Sequence, residues 1–157
     1  MSMPINTSKT FISTKTYCHN LGLSACFRQW RADSYCKYLH GYSLEVGLKF
    51  EASELDVRNW VVDFGSLKSL KGMLEDTFDH KCLVASDDPQ IAIFRDLNIA
   101  GIIQMMEVPA TGCERFAEMI FDVAEVWLHD YGYTPRVSLL EVEVREHGAN
   151  SAICRRT

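Results

Sequence analysis

Several polar side chains that can bind metals or move protons fall where the surrounding pattern favours apolar residues. The stretch CKYLHGYSLEV, residues 36–46, places a thiol, an imidazole and a phenol in series at Cys36, His40 and Tyr42. An imidazole can bind a metal ion or transfer protons, and an ionised thiol is a nucleophile and a base. Comparable polar residues elsewhere are His19, the pair Asp79 and His80, Thr111 with Glu114, and Glu146.

Taken one at a time, these residues fit structural roles. A single histidine on a strand is more often a hydrogen-bonded core residue than a ligand, and Cys36 alone would be a small packing residue. Thr111 and Glu114 have the spacing of a capping box at the start of a helix. Only their occurrence together points to a site.

The elements that would position these residues follow from the hydrophobic period. Residues 38–50 alternate strictly, which predicts a half-buried antiparallel strand with His40 and Tyr42 on its core side. Residues 9–19 and 137–147 are predicted as strands, 151–155 as the partner of the latter in a hairpin, and 102–108 as a short extended segment. Helical spacing predicts helices over 63–78, with Asp63 as N-cap, over 87–97 and over 111–129. This order indicates an α+β fold.

Composition narrows the class of protein. The 157 residues, 47% hydrophobic and 24% charged, predict one domain over 1–157. The net charge of −5 gives no general attraction for nucleic acid or anionic membranes. The N-terminus MSMPINTSKT lacks a secretory pattern, no apolar run reaches membrane-spanning length, and the six cysteines form no C-x-x-C pair. We therefore expect a cytoplasmic protein with free thiols, without nucleic-acid or membrane partners.

An ordered set of motifs identifies a family. CHNL around His19, CKYLHGYSLEV, WVVDFGSLK, FDHKCLV, TGCERFAE and VEVREHGANSAICR together resemble the 6-pyruvoyl-tetrahydropterin synthase and 6-carboxy-tetrahydropterin synthase family, over about residues 10–155. FRQWRADSYC, LHGYSLEV and REHGANSA are similar to a bacterial and phage-type branch of the carboxy-tetrahydropterin synthases. The resemblance implies the tunnelling fold (T-fold), a four-stranded antiparallel sheet with two or three helices packed on one face. It also implies rings of subunits paired into hexamers, with Zn²⁺ and 7,8-dihydroneopterin triphosphate bound between subunits.

The resemblance also implies a role for each polar residue. Cys36 would be the catalytic thiol, Glu146 would hold the pterin ring, and Asp79 with His80 would transfer protons from another subunit. The zinc ligands would be His19, His40 and, where the family has its third histidine, Tyr42; Thr111 and Glu114 match a substrate-contacting segment. In that chemistry zinc polarises a C–O bond, Cys36 removes a proton and Glu146 accepts two N–H bonds from the aminopyrimidine.

Tyr42 leaves three interpretations open. It could bind zinc as phenolate, which from an ordinary pKa of ~10 requires roughly 4 kcal/mol from the metal. Alternatively, two histidines and another group or water could hold the ion, or the site could lack a metal. By strand alternation Tyr35 and His147 point away and are poor substitutes.

The segment FRQWR, residues 27–31, has two interpretations. It is either an exposed connection between strands or a basic hook in which Arg28, Arg31 and Lys37 meet the substrate triphosphate. The main functional hypothesis is a zinc-dependent 6-carboxy-tetrahydropterin synthase that releases triphosphate and acetaldehyde on the route to 7-deazaguanine nucleosides. The alternatives are a 6-pyruvoyl-tetrahydropterin synthase, a non-catalytic pterin-binding oligomer, and a structural ring protein with cysteine-lined metal sites.

Overall fold

The computed structural model describes residues 8–157 as a mixed β-sheet with α-helices on both of its faces. Residues 1–7, which contribute to the expectation of a cytoplasmic location, lie outside the described residues. The strands are β1 (Phe11–Tyr17), β2 (Leu23–Phe27), β3 (His40–Ala52), β4 (Lys81–Ala85), β5 (Met105–Val108), β6 (Val137–His147) and β7 (Asn150–Arg155). The helices are α1 (Lys68–Phe78), α2 (Ile91–Ile99) and α3 (Cys113–Asp130).

The strand order corrects the prediction of four antiparallel strands. Seven strands are ordered β5-β4-β2-β3-β6-β7, and β1 also pairs with β3. β3 is long enough for β2 to pair with residues 40–44 and β1 with residues 46–52. The β2–β4 and β4–β5 pairs are parallel. β2 and β4 escaped prediction because LSACF and KCLVA are only five residues long and each contains a single strongly polar residue, Ser24 or Lys81, which is too few to reveal a period of two.

The two faces of the sheet are covered differently. On the first face, α1 and α3 pack over β2, β3 and β6 and form the main core, with Phe50, Phe78 and Phe116 among its largest buried side chains. On the second face, α2 packs through Phe94 against Cys82 and Val84 of β4. The prediction that the helices lie on one face is therefore wrong for α2. Within residues 8–157 no helix is both long and apolar enough to span a bilayer.

Most of the second face at β3 and β6 carries paired charges. Lys49 Nζ lies 2.6 Å from the carboxylate of the buried Glu141, and Arg145 lies 2.6 Å from Glu143. These residues alternate with the apolar residues of the first face, as a period of two requires. The odd-numbered residues of β3 after Tyr42 therefore belong to this polar face, whereas His40 and Tyr42 themselves belong to the first face.

The predicted helix over 63–78 divides into two parts. Asp63 accepts a hydrogen bond from the Gly65 N–H at 2.8 Å and starts a 3₁₀ turn, Phe64–Leu67, which runs directly into α1. The prediction of Asp63 as an N-cap is confirmed. The predicted helix over 87–97 begins later, because residues 87–90 form the turn that precedes α2.

Gly41 permits the close approach of β2 to β3 between His40 and Tyr42. A Cβ at this position would lie 2.9 Å from the carbonyl oxygen of Ala25, a backbone atom that cannot move alone. We expect Gly41→Ala to lower the free energy of unfolding by roughly 1–3 kcal/mol, measured by urea denaturation. Gly47→Ala on the same strand is the control, because its Cβ would lie 3.8 Å from its nearest neighbour. Equal losses in the two variants would contradict this explanation.

Candidate active site

His40 and Tyr42 lie together at the start of β3 on the first face. Their rings are 5.3 Å apart between centroids and nearly perpendicular. The Phe27 ring lies 5.9 Å from each of them, because Phe27 of β2 is paired in register with His40. The His40 Nδ1 donates to the Tyr38 carbonyl at 2.6 Å, which leaves Nε2 with its lone pair. The predicted proximity of the imidazole and the phenol is therefore present.

Glu146 and Cys113 complete this group, which we call the rim cluster: Cys36, His40, Tyr42, Cys113 and Glu146. Burial and then the negative charge of Glu146 raise the pKa of the Tyr42 phenol, with a smaller contribution from Cys36. Burial and Glu146 also raise the pKa of the Cys113 thiol to about 12. Tyr42 and Cys113 are therefore protonated donors beside a carboxylate at neutral pH. Sequence reasoning missed Phe27 and Cys113, which it read as a connection and as a helix start.

Cys36 lies in a 3₁₀ turn, Tyr35–Lys37, and not on the strand that carries His40. The Ser34 side chain accepts a hydrogen bond from the Cys36 N–H, and the Cys36 carbonyl accepts one from the Gln29 N–H at 2.9 Å. These bonds hold the turn while the thiol side chain stays exposed. The prediction that Cys36 shares a strand face with His40 and Tyr42 is wrong, although the thiol does belong to the same rim.

His19 lies in a 3₁₀ turn between β1 and β2 and contacts Ser43 and Glu45 of β3. Its Nδ1 donates to the Ser43 carbonyl, and the Ser43 hydroxyl donates to the His19 carbonyl at 2.5 Å. The His19 Nε2 is buried, has no hydrogen-bond partner among residues 8–157, and lies 3.8 Å from the Glu45 carboxylate. Because Ser43 and Glu45 alternate with Tyr42 and Leu44, His19 sits at the second face.

The three predicted zinc ligands do not meet in one chain. His40 and Tyr42 project from the first face of β3, His19 contacts second-face residues, and Phe27 fills the space beside His40. No hydrogen bond or aromatic contact within residues 8–157 joins His19 to His40, and these residues hold no group of three His, Cys, Asp or Glu side chains that could bind a metal. Among the described residues the buried His19 Nε2 has no hydrogen-bond partner and is a free donor atom. It lies by Glu45 on the face of β3 opposite to His40 and Tyr42, so these three side chains as placed do not fit one tetrahedral zinc ion.

Asp79 and His80 lie between α1 and β4, beside the start of β2. The His80 Nδ1 is 3.0 Å from the Asp79 carboxylate, which also accepts the Ser24 N–H at 3.1 Å. Burial raises the Asp79 pKa, but the hydrogen bonds from Ser24 and His80 outweigh it and lower that pKa overall. His80 adopts a left-handed backbone (φ 57°), donates its N–H to the Ser24 carbonyl at 2.6 Å and leaves its ring 82% exposed.

A cavity of about 530 Å³ adjoins His80 on the second face. It is lined by residues 24–26 of β2, 41–43 of β3, 80–82 and 102–104. His19, Asp79 and His80 are thus linked to this side of the sheet through Ser24 and Ser43, which are paired in register. We call His19, Asp79 and His80 the second-face cluster.

Thr111 does not cap α3, so the predicted capping box is wrong. Its buried hydroxyl donates to the Arg28 carbonyl at 2.7 Å, and its own carbonyl accepts from the Gln29 side chain at 3.1 Å. The chain enters α3 through Gly112, whose φ of 115° suits glycine, and this N-cap residue provides no side-chain hydrogen bond to the helix. Glu114 stays exposed in the first turn of α3, next to the rim cluster.

The basic segment at residues 27–31 is docked rather than free. Arg28 forms two hydrogen bonds, at 2.6 and 2.8 Å, with the carboxylate of Asp88, and Arg31 pairs with Asp87 at 3.1 Å. Within residues 8–157 Lys37 has no carboxylate partner, and its ammonium lies 5.2 Å from the Tyr38 ring centroid. The two arginines are thus neutralised by aspartates, which does not favour the basic hook.

His147 approaches the rim cluster despite the expectation from strand alternation. A β-bulge between Arg145 and His147 breaks the period of two, and the His147 ring lies 6.1 Å from that of Tyr42. Its Nδ1 accepts the Ala149 N–H at 3.2 Å. The turn residues HGAN indicated a hairpin, but none of these residue types predicts the bulge.

The pH dependence of the free energy of unfolding tests whether the Arg28–Asp88 pair fastens the segment at residues 27–31. The hydrogen bonds from Arg28 lower the pKa of Asp88 in the folded protein. This carboxylate therefore stabilises the fold at pH values above its unfolded pKa of about 3.9. The stabilisation is lost as the pH falls through the lower pKa of the folded state. The Asp88 side chain is 2% exposed. We expect Asp88→Asn to lower the free energy of unfolding at pH 7 by about 3 kcal/mol and to flatten its dependence on pH below 4.

Asp87→Asn is the matched control for that prediction. The Asp87 side chain is 55% exposed, so its pair with Arg31 should contribute less than about 1 kcal/mol. Denaturant unfolding of both variants at pH 3 and pH 7 measures the difference. Similar losses for Asp87→Asn and Asp88→Asn at pH 7 would show that the Arg28–Asp88 pair does not fasten this segment.

Comparison with known proteins decides the family. The family described as 6-pyruvoyl tetrahydropterin synthase matches residues 18–157. The chain belongs to the 6-pyruvoyl tetrahydropterin synthase family. Among its relatives in this family is the 6-carboxy-5,6,7,8-tetrahydropterin synthase of Aquifex aeolicus, 26% identical over 155 residues, which cover 92% of this chain and 94% of the relative. A Halobacterium salinarum protein named "Probable 6-carboxy-5,6,7,8-tetrahydropterin synthase" is 29% identical over 130 residues, 83% of this chain and 79% of that one.

Solved structures support the fold of this 6-pyruvoyl tetrahydropterin synthase family member. An uncharacterized protein from Wolinella succinogenes superposes with a TM-score of 0.81 at 18% identity, over 96% of this chain and all of the other. The 6-pyruvoyl tetrahydropterin synthase of Plasmodium falciparum superposes with a TM-score of 0.68 at 14% identity, over 94% and 98% of the two chains. The prediction from the motifs that the chain shares the fold of this family is confirmed. Membership of the family implies a small-molecule pterin as substrate.

Proposed function

We propose that this chain is a 6-carboxy-5,6,7,8-tetrahydropterin synthase. It takes 7,8-dihydroneopterin triphosphate and water and releases 6-carboxy-tetrahydropterin, triphosphate and acetaldehyde, as a cytoplasmic step of 7-deazaguanine biosynthesis. The observation that carries the proposal is the rim cluster, in which a thiol, an imidazole and a carboxylate from separate elements converge. The curated relatives named for this activity support the choice of product.

Glu146 is the proposed pterin anchor. A carboxylate presents two acceptor oxygens to the paired N–H groups of an aminopyrimidine, and such charged hydrogen bonds are strong. Tyr42 and Cys113 beside it have raised pKa values, so neither adds a negative charge that would compete for the ring. Their protonated groups can also donate to pterin heteroatoms. Glu146 therefore fixes the ring while the substrate side chain extends along the rim.

Cys36 is the proposed base. Its exposed turn lies at the edge of the rim cluster, where the side chain of a pterin held by Glu146 can reach the sulfur. As thiolate, Cys36 removes a proton from a side-chain carbon and becomes a neutral thiol. His40 lies on the same face, and its Nε2 can accept a hydrogen bond from a hydroxyl of the substrate side chain. These roles use only groups that the chain itself supplies.

Asp79 and His80 are the proposed partners for proton return. Asp79 holds the His80 ring through Nδ1, so the exposed Nε2 is left for a substrate. This pair faces the second side of the sheet, whereas the rim cluster projects from the first. We therefore propose that His80 serves the rim cluster of a neighbouring subunit in a homo-oligomer, which the resemblance implies is a hexamer.

Zinc enters none of these steps, because the fold separates His19 from His40 and Tyr42. The Zn²⁺ ion and its three ligands stay predictions that rest on the resemblance. Elemental analysis of the dialysed protein, with His19→Ala and His40→Ala as variants, measures whether either histidine contributes to metal retention. Loss of a bound ion in both variants would show that His19 and His40 share one metal site, which would contradict their separation on opposite faces of β3.

Product identity tests the proposed function. Purified protein incubated with 7,8-dihydroneopterin triphosphate should yield 6-carboxy-tetrahydropterin and acetaldehyde, identified by mass spectrometry. Retention of the side-chain carbons as 6-pyruvoyl-tetrahydropterin would assign the other activity of the family. Binding of the pterin without any turnover would instead support a non-catalytic pterin-binding oligomer, and neither binding nor turnover would leave only a structural ring protein.

A further inference from the structure

Two cysteines outside the proposed chemistry lie opposite each other in the sheet. Cys26 of β2 and Cys82 of β4 are partners in register across a parallel pair. Neighbouring parallel strands lie about 4.8 Å apart. The Cα atoms of a disulfide usually lie about 4.4–6.8 Å apart. Partners in register project from the same face, so the two side chains meet on the second face, beside Phe94 and Ile103.

The two thiols differ in burial and in ionisation. Both residues line the second-face cavity of about 530 Å³, Cys26 as a partly exposed residue and Cys82 as a buried one. A hydrogen bond between the side chains lowers the pKa of Cys26, and the same bond together with burial raises the pKa of Cys82. Cys26 is thus the more readily ionised of the two thiols, with a protonated partner thiol beside it.

We propose that Cys26 and Cys82 form a peroxide-sensitive thiol pair that closes to an intrachain disulfide at the second-face cavity. The Cys26 thiolate attacks hydrogen peroxide, breaks the O–O bond and becomes a sulfenic acid, and the released hydroxide takes a proton to give water. The Cys82 sulfur then attacks the sulfenic sulfur, and its proton leaves with the hydroxyl as a second water. Two thiols are oxidised and one peroxide is reduced.

The position of the pair gives the disulfide a structural consequence. Cys26 and Cys82 each lie two residues from a partner in the Ser24–His80 backbone hydrogen bond, which joins the same two chain segments. A covalent link here would fix β2 to β4 at the wall of the cavity that His80 lines. The inference concerns a modification site and stands whether or not the proposed synthase activity is found.

Peptide mapping of the folded, reduced protein tests this inference. After brief treatment with hydrogen peroxide and alkylation of the remaining thiols, we expect one dominant linked peptide pair that contains Cys26 and Cys82 and disappears with dithiothreitol. Cys26→Ser should abolish the link and slow the loss of the Cys82 thiol at least about tenfold, because it removes the attacking thiolate. Cys18→Ser, which removes an exposed thiol elsewhere, should leave both unchanged.

Two outcomes would overturn the inference. One is a native protein in which Cys26 and Cys82 are both alkylated while another cysteine is oxidised. The other is a set of links among the six cysteines no more selective than that of the urea-denatured chain. The pH dependence adds a separate readout, since loss of the Cys82 thiol should begin to accelerate at a lower pH in the parent chain than in Cys26→Ser.

Discussion

Replacement of Cys36 by alanine is expected to lower the turnover of 7,8-dihydroneopterin triphosphate by about 10²–10⁴-fold, the usual contribution of a positioned acid or base. The thiol lies in an exposed turn and contributes no core contact, so the free energy of unfolding should stay nearly unchanged. Steady-state kinetics should show the loss in kcat and little change in KM, because the pterin ring is held by Glu146. Denaturant unfolding checks the fold.

Cys154→Ala is the control for Cys36→Ala. Cys154 lies on β7, away from the turn that carries Cys36, and its side chain packs against the core. Its replacement should cost stability rather than turnover. If Cys36→Ala turns over as fast as the parent chain, Cys36 is not the base, and the rim cluster would have to act through another group.

Replacement of Glu146 by glutamine is expected to raise KM roughly 10- to 100-fold, because a hydrogen bond to a charged group contributes about 1.5–3 kcal/mol. An amide also presents an NH₂ donor group in place of one acceptor oxygen, where the aminopyrimidine offers donors of its own. Fluorescence titration with a pterin product should show the same weakening. The change has a second readout in the free protein, since loss of the Glu146 charge should lower the pKa of Cys113 from about 12 and speed its alkylation.

Glu143→Gln is the matched control for Glu146→Gln. Glu143 lies on the same strand, but its carboxylate pairs with Arg145 on the second face. It should change KM less than about threefold, because Glu143 lies on the face of the sheet opposite to the rim cluster. Equal effects of the two variants on pterin binding would indicate that Glu146 acts through the net charge of the sheet and not as an anchor.

The sequence was most informative where hydrophobic alternation was long. β3 and β6 follow from the period of two, and β6 was predicted with its observed ends, Val137 and His147. The α3 stripe of Phe116, Ile120 and Trp127 is buried as its helical spacing predicts. The parallel strands β2 and β4 were missed because five residues with few polar positions do not reveal a face.

The candidate site was predictable in its residue types and only partly in its arrangement. Alternation placed Glu146, His40 and Tyr42 on one face correctly, since a strand fixes that relation locally. It could not place His19, which was predicted as the last residue of a strand over 9–19 but lies in the 3₁₀ turn between β1 and β2. Nor could it show that Arg28 is neutralised by Asp88, a contact between residues 60 positions apart.

The separation of the rim cluster from the second-face cluster is the central claim, and mixed oligomers test it most directly. Cys36→Ala and His80→Ala chains, each inactive alone, would be coexpressed with different tags and purified through both. Sites that combine the thiol of one subunit with the imidazole of another should recover about a quarter of parent turnover, as random pairing in a closed ring requires. If the mixed oligomers are as inactive as oligomers of either single variant, Cys36 and His80 act within one chain.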